Sequence, residues 1–242
     1  MSKCFLLTLI LCSFTVIADD KKLSAEDFLY RVRHPAGRKR WAIMDGSVRH
    51  RRRGKETIKA NLYLALLFKQ DRTLAQVVIN KKQGYMLGQT FAGKESGTTI
   101  IPLNKATKEN PILGNFGLRP QDLTMTFIYW KFVKEFPQES IKMISCRVFS
   151  LKSLDDKEIA KVWISKNYYF PLKVQWTKIG EKAPFRSLEI NSFKRQGNYG
   201  SPKRMELYGP GWRTKINFIK SKIGTLEQKN IPKDLFLKLL DE

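Results

Sequence analysis

Polar and hydrophobic residues alternate over most of the chain beyond residue 40, which is the pattern of β-strands. Lys59 to Lys69 is different, because both sets of alternate positions are apolar, and this predicts a strand covered on both faces. Gly and Thr are frequent in residues 91–103, so we predict irregular structure there, followed by a polar loop over 104–111. Pro171 falls inside one strand candidate and indicates an edge or a bulge. The other predicted strands are 41–53, 74–80, 82–87, 125–133, 141–151, 158–164, 168–179, 186–193, 203–207 and 214–219.

Helical signals are few and confined to short segments. Ser24, with an acidic residue three positions later, is typical of a helix N-cap, and this helix is predicted to end near residue 34. Pro120 suits the first position of a short helix over 119–123. Ile231-Pro232 opens a segment that predicts a last helix running to residue 240. Short strands separated by turn residues indicate antiparallel pairing. We therefore predict a mainly β (α+β) fold, a large and strongly curved antiparallel sheet with a few helices.

The N-terminus has the layout of a secretory signal peptide. Lys3 supplies a positive charge, Cys4 to Ala18 is uncharged and largely apolar, and small residues precede the polar run that begins at Asp19. We predict cleavage after Ala18, which leaves residues 19–242 as one domain outside the cytoplasm. An alternative is a lipobox ending at Cys12, but that motif requires a small residue before the cysteine, and residue 11 is leucine.

The chain is strongly basic, with 45 Lys and Arg residues against 22 Asp and Glu, a formal net charge of +23 at pH 7. Such a charge attracts polyanions. Outside the cytoplasm these are lipid head groups, lipopolysaccharide and cell-wall polymers, so we expect no nucleic-acid partner. Basic residues are densest between Arg31 and Lys55, where Asp45 is the single acid. This segment is either an ordinary solvated surface or a docking patch for an anionic membrane or partner. The predicted docking residues are Arg38, Lys39, Arg40, Arg49, Arg51, Arg52, Arg53 and Lys55.

Residues that could perform catalysis or bind metal are scarce. His34 and His50 are the two histidines of the chain, and they are not spaced as metal ligands. No nucleophile-elbow, phosphate-binding or paired-cysteine motif is present in the sequence. Cys146 is the cysteine left after signal cleavage, and its place in an alternating run predicts a small buried hydrophobe. We therefore predict no enzyme activity, no metal site and no cofactor.

Large apolar and aromatic side chains are in surplus in the predicted strands. An ordinary core accounts for most of them, but strands that are apolar on both faces supply more apolar surface than one core layer needs. An apolar cavity between the curved sheet and its covering helices is the alternative.

Several segments carry a family resemblance. Tyr168–Trp176 resembles the Tyr-Tyr-Pro-hydrophobic-Lys/Arg strand of the LolA-like outer-membrane lipoprotein-sorting family. Pro202–Leu207 is similar to that family's Pro-x-x-Met-Glu-Met strand, and Ile231–Phe236 to its closing Ile-Pro-Asp-x-Leu-Phe element. Gly114–Leu123 matches more loosely and keeps the Gly, one Phe and the Asp-Leu pair. In this order and spacing, the segments extend the resemblance over roughly residues 24–240.

The resemblance implies a half-open β-barrel that helices close around an apolar cavity. It also implies a monomeric periplasmic carrier of lipoproteins or other lipids, loaded by an inner-membrane exporter and unloaded to an outer-membrane acceptor. The alternative functions are a non-shuttling envelope sensor or scaffold with the same fold and, third, a hydrolase with an unrecognised site. The predicted cavity-lining residues are Leu64, Leu66, Phe68, Val77, Ile79, Phe127, Tyr129, Val174, Trp176, Ile190, Met205 and Leu207.

Overall fold

The computed structural model describes residues 23–34, 39–90, 97–103, 112–196, 199–226 and 231–239. The predicted signal peptide and its cleavage site, Cys12 and Arg38 lie outside these described residues. No helix within the described ranges combines the length and the apolar character that a membrane span requires.

Twelve strands of the described residues form one antiparallel sheet. Two meanders, β1 to β5 and β6 to β12, are joined where β1 pairs with β12, so β5 and β6 lie at the two edges. The prediction of a large antiparallel sheet is confirmed, and the sheet is an open barrel. The strands are β1 (Arg40–Arg52), β2 (Ile58–Phe68), β3 (Arg72–Ile79), β4 (Gln83–Thr90), β5 (Thr98–Leu103), β6 (Lys131–Ile141), β7 (Ile144–Lys152), β8 (Glu158–Ser165), β9 (Pro171–Lys178), β10 (Arg186–Gln196), β11 (Tyr199–Gly209) and β12 (Trp212–Thr225).

Within the described ranges, four short helical segments pack on one face of this sheet, which we call the inner face. They are α1 (Ala25–Arg33), α2 (Ile112–Asn115), α3 (Pro120–Thr124) and a 3₁₀ helix (Thr126–Tyr129). The predicted N-cap of α1 is confirmed, since the Ser24 hydroxyl accepts a hydrogen bond from the backbone N–H of Asp27 at 3.0 Å. The buried side of α1, with Phe28 and Leu29, joins the main core.

The main core consists of inner-facing residues from most of the strands. It is continuous from β1 around to β12, and its side chains include Leu64, Val77, Val162, Leu207 and Ile216, each no more than 1% exposed. Because adjacent residues of a strand point to opposite faces, the residues between these are on the outer face.

The outer face of β1 to β3 has its own apolar cover. Tyr63 belongs to a second hydrophobic cluster. Leu235 packs into this cluster, so that residues 231–239 cover it. The strand predicted to be covered on both faces is therefore confirmed as β2. The cover is not the predicted last helix, because residues 231–239 contain none. The Tyr63 hydroxyl donates to the Leu235 carbonyl at 2.6 Å, and the Gln76 amide exchanges two hydrogen bonds with the Leu237 backbone at 2.8 and 2.9 Å. Of these backbone groups, the Leu235 carbonyl and the Leu237 N–H are ones that the predicted helix would have paired internally.

Two further sequence predictions are corrected, and two parts of the structure were not predicted. Thr98–Leu103 is strand β5, because its Thr and Ile residues pair with β4, and not the irregular structure predicted. The predicted strand 125–133 is instead the 3₁₀ helix and the start of β6, since Met125 adopts a left-handed φ of 55°. The middle of strand β6, residues 134–140, was not predicted, and the predicted strand 141–151 ran through the Lys142-Met143 hairpin turn, whose φ values of 49° and 65° occur without the usual Asn or Gly. Helix α2 was not predicted either.

Candidate apolar binding cavity

An apolar cavity of about 290 Å³ lies between the inner face of the sheet and the helices. Strands β1 to β4 form its floor, α1 and the segment from α3 through the 3₁₀ helix form its roof, and the turn before β9 forms its side. Its lining from the sheet includes Met44, Leu66, Phe68, Ala75 and Leu87. It lies near the end of the sheet at which β1 begins and β2 ends, which we call the cavity end.

Two arginines hold the roof of the cavity in position. Arg33 at the end of α1 donates from Nε to the Ile128 carbonyl and from Nη2 to the Trp130 carbonyl, both at 2.8 Å. Arg186 on β10 forms a buried ion pair with Asp122 of α3. Asp122 also accepts the backbone N–H of Arg119 at 2.7 Å, which caps α3. The roof is thus tied both to α1 and to the sheet.

Aromatic residues surround the place where the cavity reaches solvent. Tyr168 is 69% exposed although it lines the cavity, so the opening lies beside it. Tyr169 packs its ring 5.2 Å from Phe28 of α1, and Phe170 packs edge-on against Phe193 of β10 at 5.6 Å. The opening is therefore bounded by the turn that carries the Tyr-Tyr-Phe-Pro motif.

A second and more polar cavity of about 370 Å³ lies on the other side of the 3₁₀ helix. Arg119 and Glu158, which form a bidentate ion pair at 2.8 and 2.9 Å, contribute to its wall. Thr126 and Tyr129 line both cavities, so the 3₁₀ helix is the partition between them.

The structure distributes the predicted lining residues over three places. Leu66, Phe68 and Tyr129 line the apolar cavity, while Phe127 and Trp176, together with Tyr129, line the polar one. The other predicted residues lie in the close-packed core under neither cavity; these are Leu64, Val77, Ile79, Val174, Ile190, Met205 and Leu207. Sequence reasoning missed Ala75 and the contribution of α1. Ligand binding by any of these residues stays a prediction.

The predicted docking residues do not form one surface. Lys39 and Arg40 lie at the cavity end, whereas Arg49 to Lys55 lie toward the opposite end of β1. The twelve steps from Arg40 to Arg52 correspond to about 40 Å along the strand. On the outer face, Arg49 lies between Lys59 of β2 and Lys215 of β12 in the register. The docking role of this group stays a prediction.

His50 is buried, and its hydrogen bonds define its protonation state. The Thr214 hydroxyl donates to the Phe116 carbonyl, so its oxygen is left to accept from His50 Nδ1 at 2.7 Å. Nε2 of His50 accepts from Arg52 Nε at 3.1 Å. This arrangement requires a neutral imidazole with its proton on Nδ1. Burial, together with the nearby Arg52 charge, accordingly lowers the pKa of His50.

No reactive or metal-binding cluster occurs in the described ranges. Cys146 is fully buried, as predicted, and burial raises the pKa of its thiol. Within the part of the chain that the structure describes, no three His, Cys, Asp or Glu side chains are grouped as metal ligands. Chemically, the apolar cavity can therefore enclose an apolar group, and its described lining contains no nucleophile paired with a base.

No protein-family model matches this sequence, and no curated protein does. Solved structures do match. A domain assigned to outer membrane lipoprotein sorting from Vibrio parahaemolyticus aligns with a TM-score of 0.66 at 14% identity, over 86% of this chain and 94% of that one. A DUF1329 family protein from Desulfovibrio piger aligns at 0.60 and 10% identity, over 81% and 90% of the two chains. A LolA superfamily protein from Nitrosomonas europaea aligns at 0.54 and 13% identity, over 88% and 100%. The chain therefore has the LolA-like fold that its sequence motifs predicted.

Proposed function

We propose that this protein is a non-enzymatic periplasmic carrier that holds an acyl chain of a lipoprotein or another lipid in the apolar cavity. The observation that supports it most is the cavity itself, which is lined mainly by apolar side chains and opens beside Tyr168. The LolA-like fold supports the same function, because one of the similar structures is assigned to lipoprotein sorting. The basic, apolar sequence before Asp19 supports export to the periplasm.

The size of the cavity limits what it holds in this conformation. A volume of about 290 Å³ is at the lower end of the range for ligand pockets, roughly 300–1,000 Å³. It therefore suits part of one acyl chain. Burying about ten methylene groups contributes about 8 kcal/mol, which corresponds to a Kd of about 1 μM before the costs of ordering are subtracted. A cargo with several chains would require the 3₁₀ helix to move, so that both cavities join.

Transfer in this proposal follows differences in affinity. An inner-membrane exporter loads the carrier, and an outer-membrane acceptor that binds the chain more tightly unloads it. The acyl chain is transferred intact, with no covalent step.

The test is mass spectrometry of an organic extract of the protein purified from its native envelope. We expect acyl lipid or lipoprotein to be recovered with the wild type and lost from Leu66→Glu, which places a charge in the cavity lining. Ile101→Glu is the matched control, because Ile101 is 56% exposed on β5 and away from the cavity. Wild-type protein recovered free of lipid, together with a Leu66→Glu variant that is fully active in cells, would contradict the proposal.

A further inference from the structure

Two turns and one strand end, neighbours at the cavity end, each combine a cation with an exposed apolar side chain. The turn between β6 and β7 is Lys142-Met143, and Met143 is 99% exposed. The turn between β8 and β9 carries Lys166 and Tyr168, and Tyr168 is 69% exposed. The end of β10 carries Phe193, 40% exposed, followed by two basic residues. We call these three segments the tips.

The tips form one continuous surface. Lys142 Nζ from the first tip donates to Asn191 Oδ1 near the third tip at 2.6 Å. Phe170, which follows the second tip, contacts Phe193 in the third at 5.6 Å between ring centroids. Because Tyr168 and Phe170 also line the cavity, this surface borders the cavity opening.

Each tip carries a basic residue, and the described turns around the tips hold few acids. Lys142 and Lys166 have uncharged side-chain amides as their hydrogen-bond partners. In the described turns between strands at the cavity end, Asp71 is the one acidic residue, and it is paired with Arg72 at 2.6 Å. The described turns at the opposite end hold four acids, Glu56, Asp155, Asp156 and Glu181. The described turns of the opposite end also hold more basic residues, six against three, so the net charge of the turns is the same at the two ends and the cavity end differs in having fewer acids.

Nothing within the described fold explains the side chain at Met143. It occupies a left-handed backbone position that favours Asn or Gly, and it packs against almost nothing. An apolar tip flanked by lysines suits an anionic bilayer, where the apolar group enters the boundary of the acyl region and the ammonium groups remain at the phosphates. Aromatic residues such as Tyr168 favour the same interface. A protein interface fits less well, because lysine is depleted in such interfaces.

We propose that the three tips dock this protein on an anionic phospholipid surface, with the cavity opening toward the bilayer. The surface is distinct from the basic residues Arg49 to Lys55, which lie toward the opposite end of β1. Its use in loading cargo rests on the proposed carrier function, whereas docking itself does not.

Co-sedimentation with vesicles tests the docking. We expect the wild type to bind vesicles of equal parts phosphatidylglycerol and phosphatidylcholine, and not pure phosphatidylcholine, with affinity that falls as salt rises. Replacing Lys142, Lys166 and Lys194 by glutamine should weaken binding about fivefold per charge, or about a hundredfold together. Met143→Asn, which suits the turn, should weaken it about tenfold. The charge-matched control replaces Arg53, Lys55 and Lys182 at the opposite end by glutamine, and it should lose less than the variant of the tips.

A fluorescent label reports which end enters the bilayer. An environment-sensitive fluorophore on Met143→Cys, with Cys4 and Cys12 replaced by serine, should shift to shorter wavelength on anionic vesicles. The same label on Leu154→Cys should not shift, although Leu154 is also exposed, at 66%, in a turn of the opposite end. Fully buried Cys146 leaves the label selective.

Three results would overturn the docking proposal: no binding to anionic vesicles, equal loss in the control at the opposite end, or a shift at Leu154 and none at Met143. Binding of a fluorescent fatty acid to the same variants separates this proposal from the carrier function. Vesicle binding without fatty-acid binding would support the docking surface and contradict the carrier function. Fatty-acid binding without vesicle binding would support the carrier function and contradict the docking surface.

Discussion

A larger side chain at Ala75, on the sheet, would extend into the apolar cavity and fill part of it. Ala75 lies on the inner face of β3, is 2% exposed and pairs across the strands with Leu66 and Leu87, which both line the cavity. Ala75→Leu adds three carbon atoms that point into the cavity. If they exclude three methylene groups of a bound chain, the loss is about 2.4 kcal/mol, which raises Kd about fiftyfold.

The stability of the same variant tests whether the cavity is empty. Extra methyl groups in a filled core force neighbouring side chains out of place and cost about 1–3 kcal/mol. In an empty apolar cavity they are buried without displacing anything, so we expect the free energy of unfolding of Ala75→Leu to be unchanged or higher. Ala160→Leu is the matched control, because Ala160 is fully buried on the inner face of β8 and lines neither cavity.

Urea unfolding and displacement of a fluorescent fatty acid measure the two effects on one protein sample. Ala160→Leu should lose about 1–3 kcal/mol of stability and, while folded, keep its affinity. The reasoning is refuted if Ala75→Leu is destabilised as much as Ala160→Leu. It is equally refuted if Ala75→Leu binds the fatty acid as tightly as the wild type.

Three further predictions follow from the buried polar groups. Asp122→Ala should lower the free energy of unfolding by about 3–5 kcal/mol in urea, because it leaves Arg186 buried without a counter-charge; a loss below 1 kcal/mol would contradict this. Since folding lowers the pKa of His50 below 6.5, the unfolded chain takes up the proton first, and stability should fall as pH falls below about 6.5. In urea unfolding, the free energy of unfolding of His50→Gln should depend less on pH below about 6.5 than that of the wild type. Gln76→Ala should speed hydrogen exchange at the Leu237 amide, and unchanged exchange would exclude its role in holding the outer cover.

The alternation of polar and apolar residues was sufficient to predict most strands, because successive residues of a half-buried strand point in turn to solvent and to the core. It failed where local backbone conformation decides the structure. Met125 takes a left-handed φ, and this converts a segment with strand-like composition into a 3₁₀ helix. The turn at Lys142-Met143 has the same φ sign without a glycine, so the predicted strand 141–151 ran through this turn instead of beginning after it. The prediction of a last helix after residue 231 failed for another reason. The side chains that bind the backbone of this segment, Tyr63 and Gln76, are far away in sequence.

The site was harder to predict than the fold. The hydrophobicity of a residue indicates which face of a strand is buried, but the size of the side chains determines where a cavity remains. Three successive rows cross the inner face of β1 to β4: Met44, Leu64, Val77 and Tyr85; then Ala42, Leu66, Ala75 and Leu87; then Arg40, Phe68, Thr73 and Gln89. The first row has no small residue. The second row has an alanine at every other position, and three of its residues, Leu66, Ala75 and Leu87, line the cavity together with Phe68, Thr73 and Gln89 of the third row. Seven of the predicted lining residues were chosen because they are apolar, which is a property of core residues as well. The structure places them in the core, where they line neither cavity. Ala75, a small residue of the lining, is recognised only after the strand register is known, since it is nine positions from Leu66 and twelve from Leu87 and becomes their neighbour through the pairing of β2, β3 and β4.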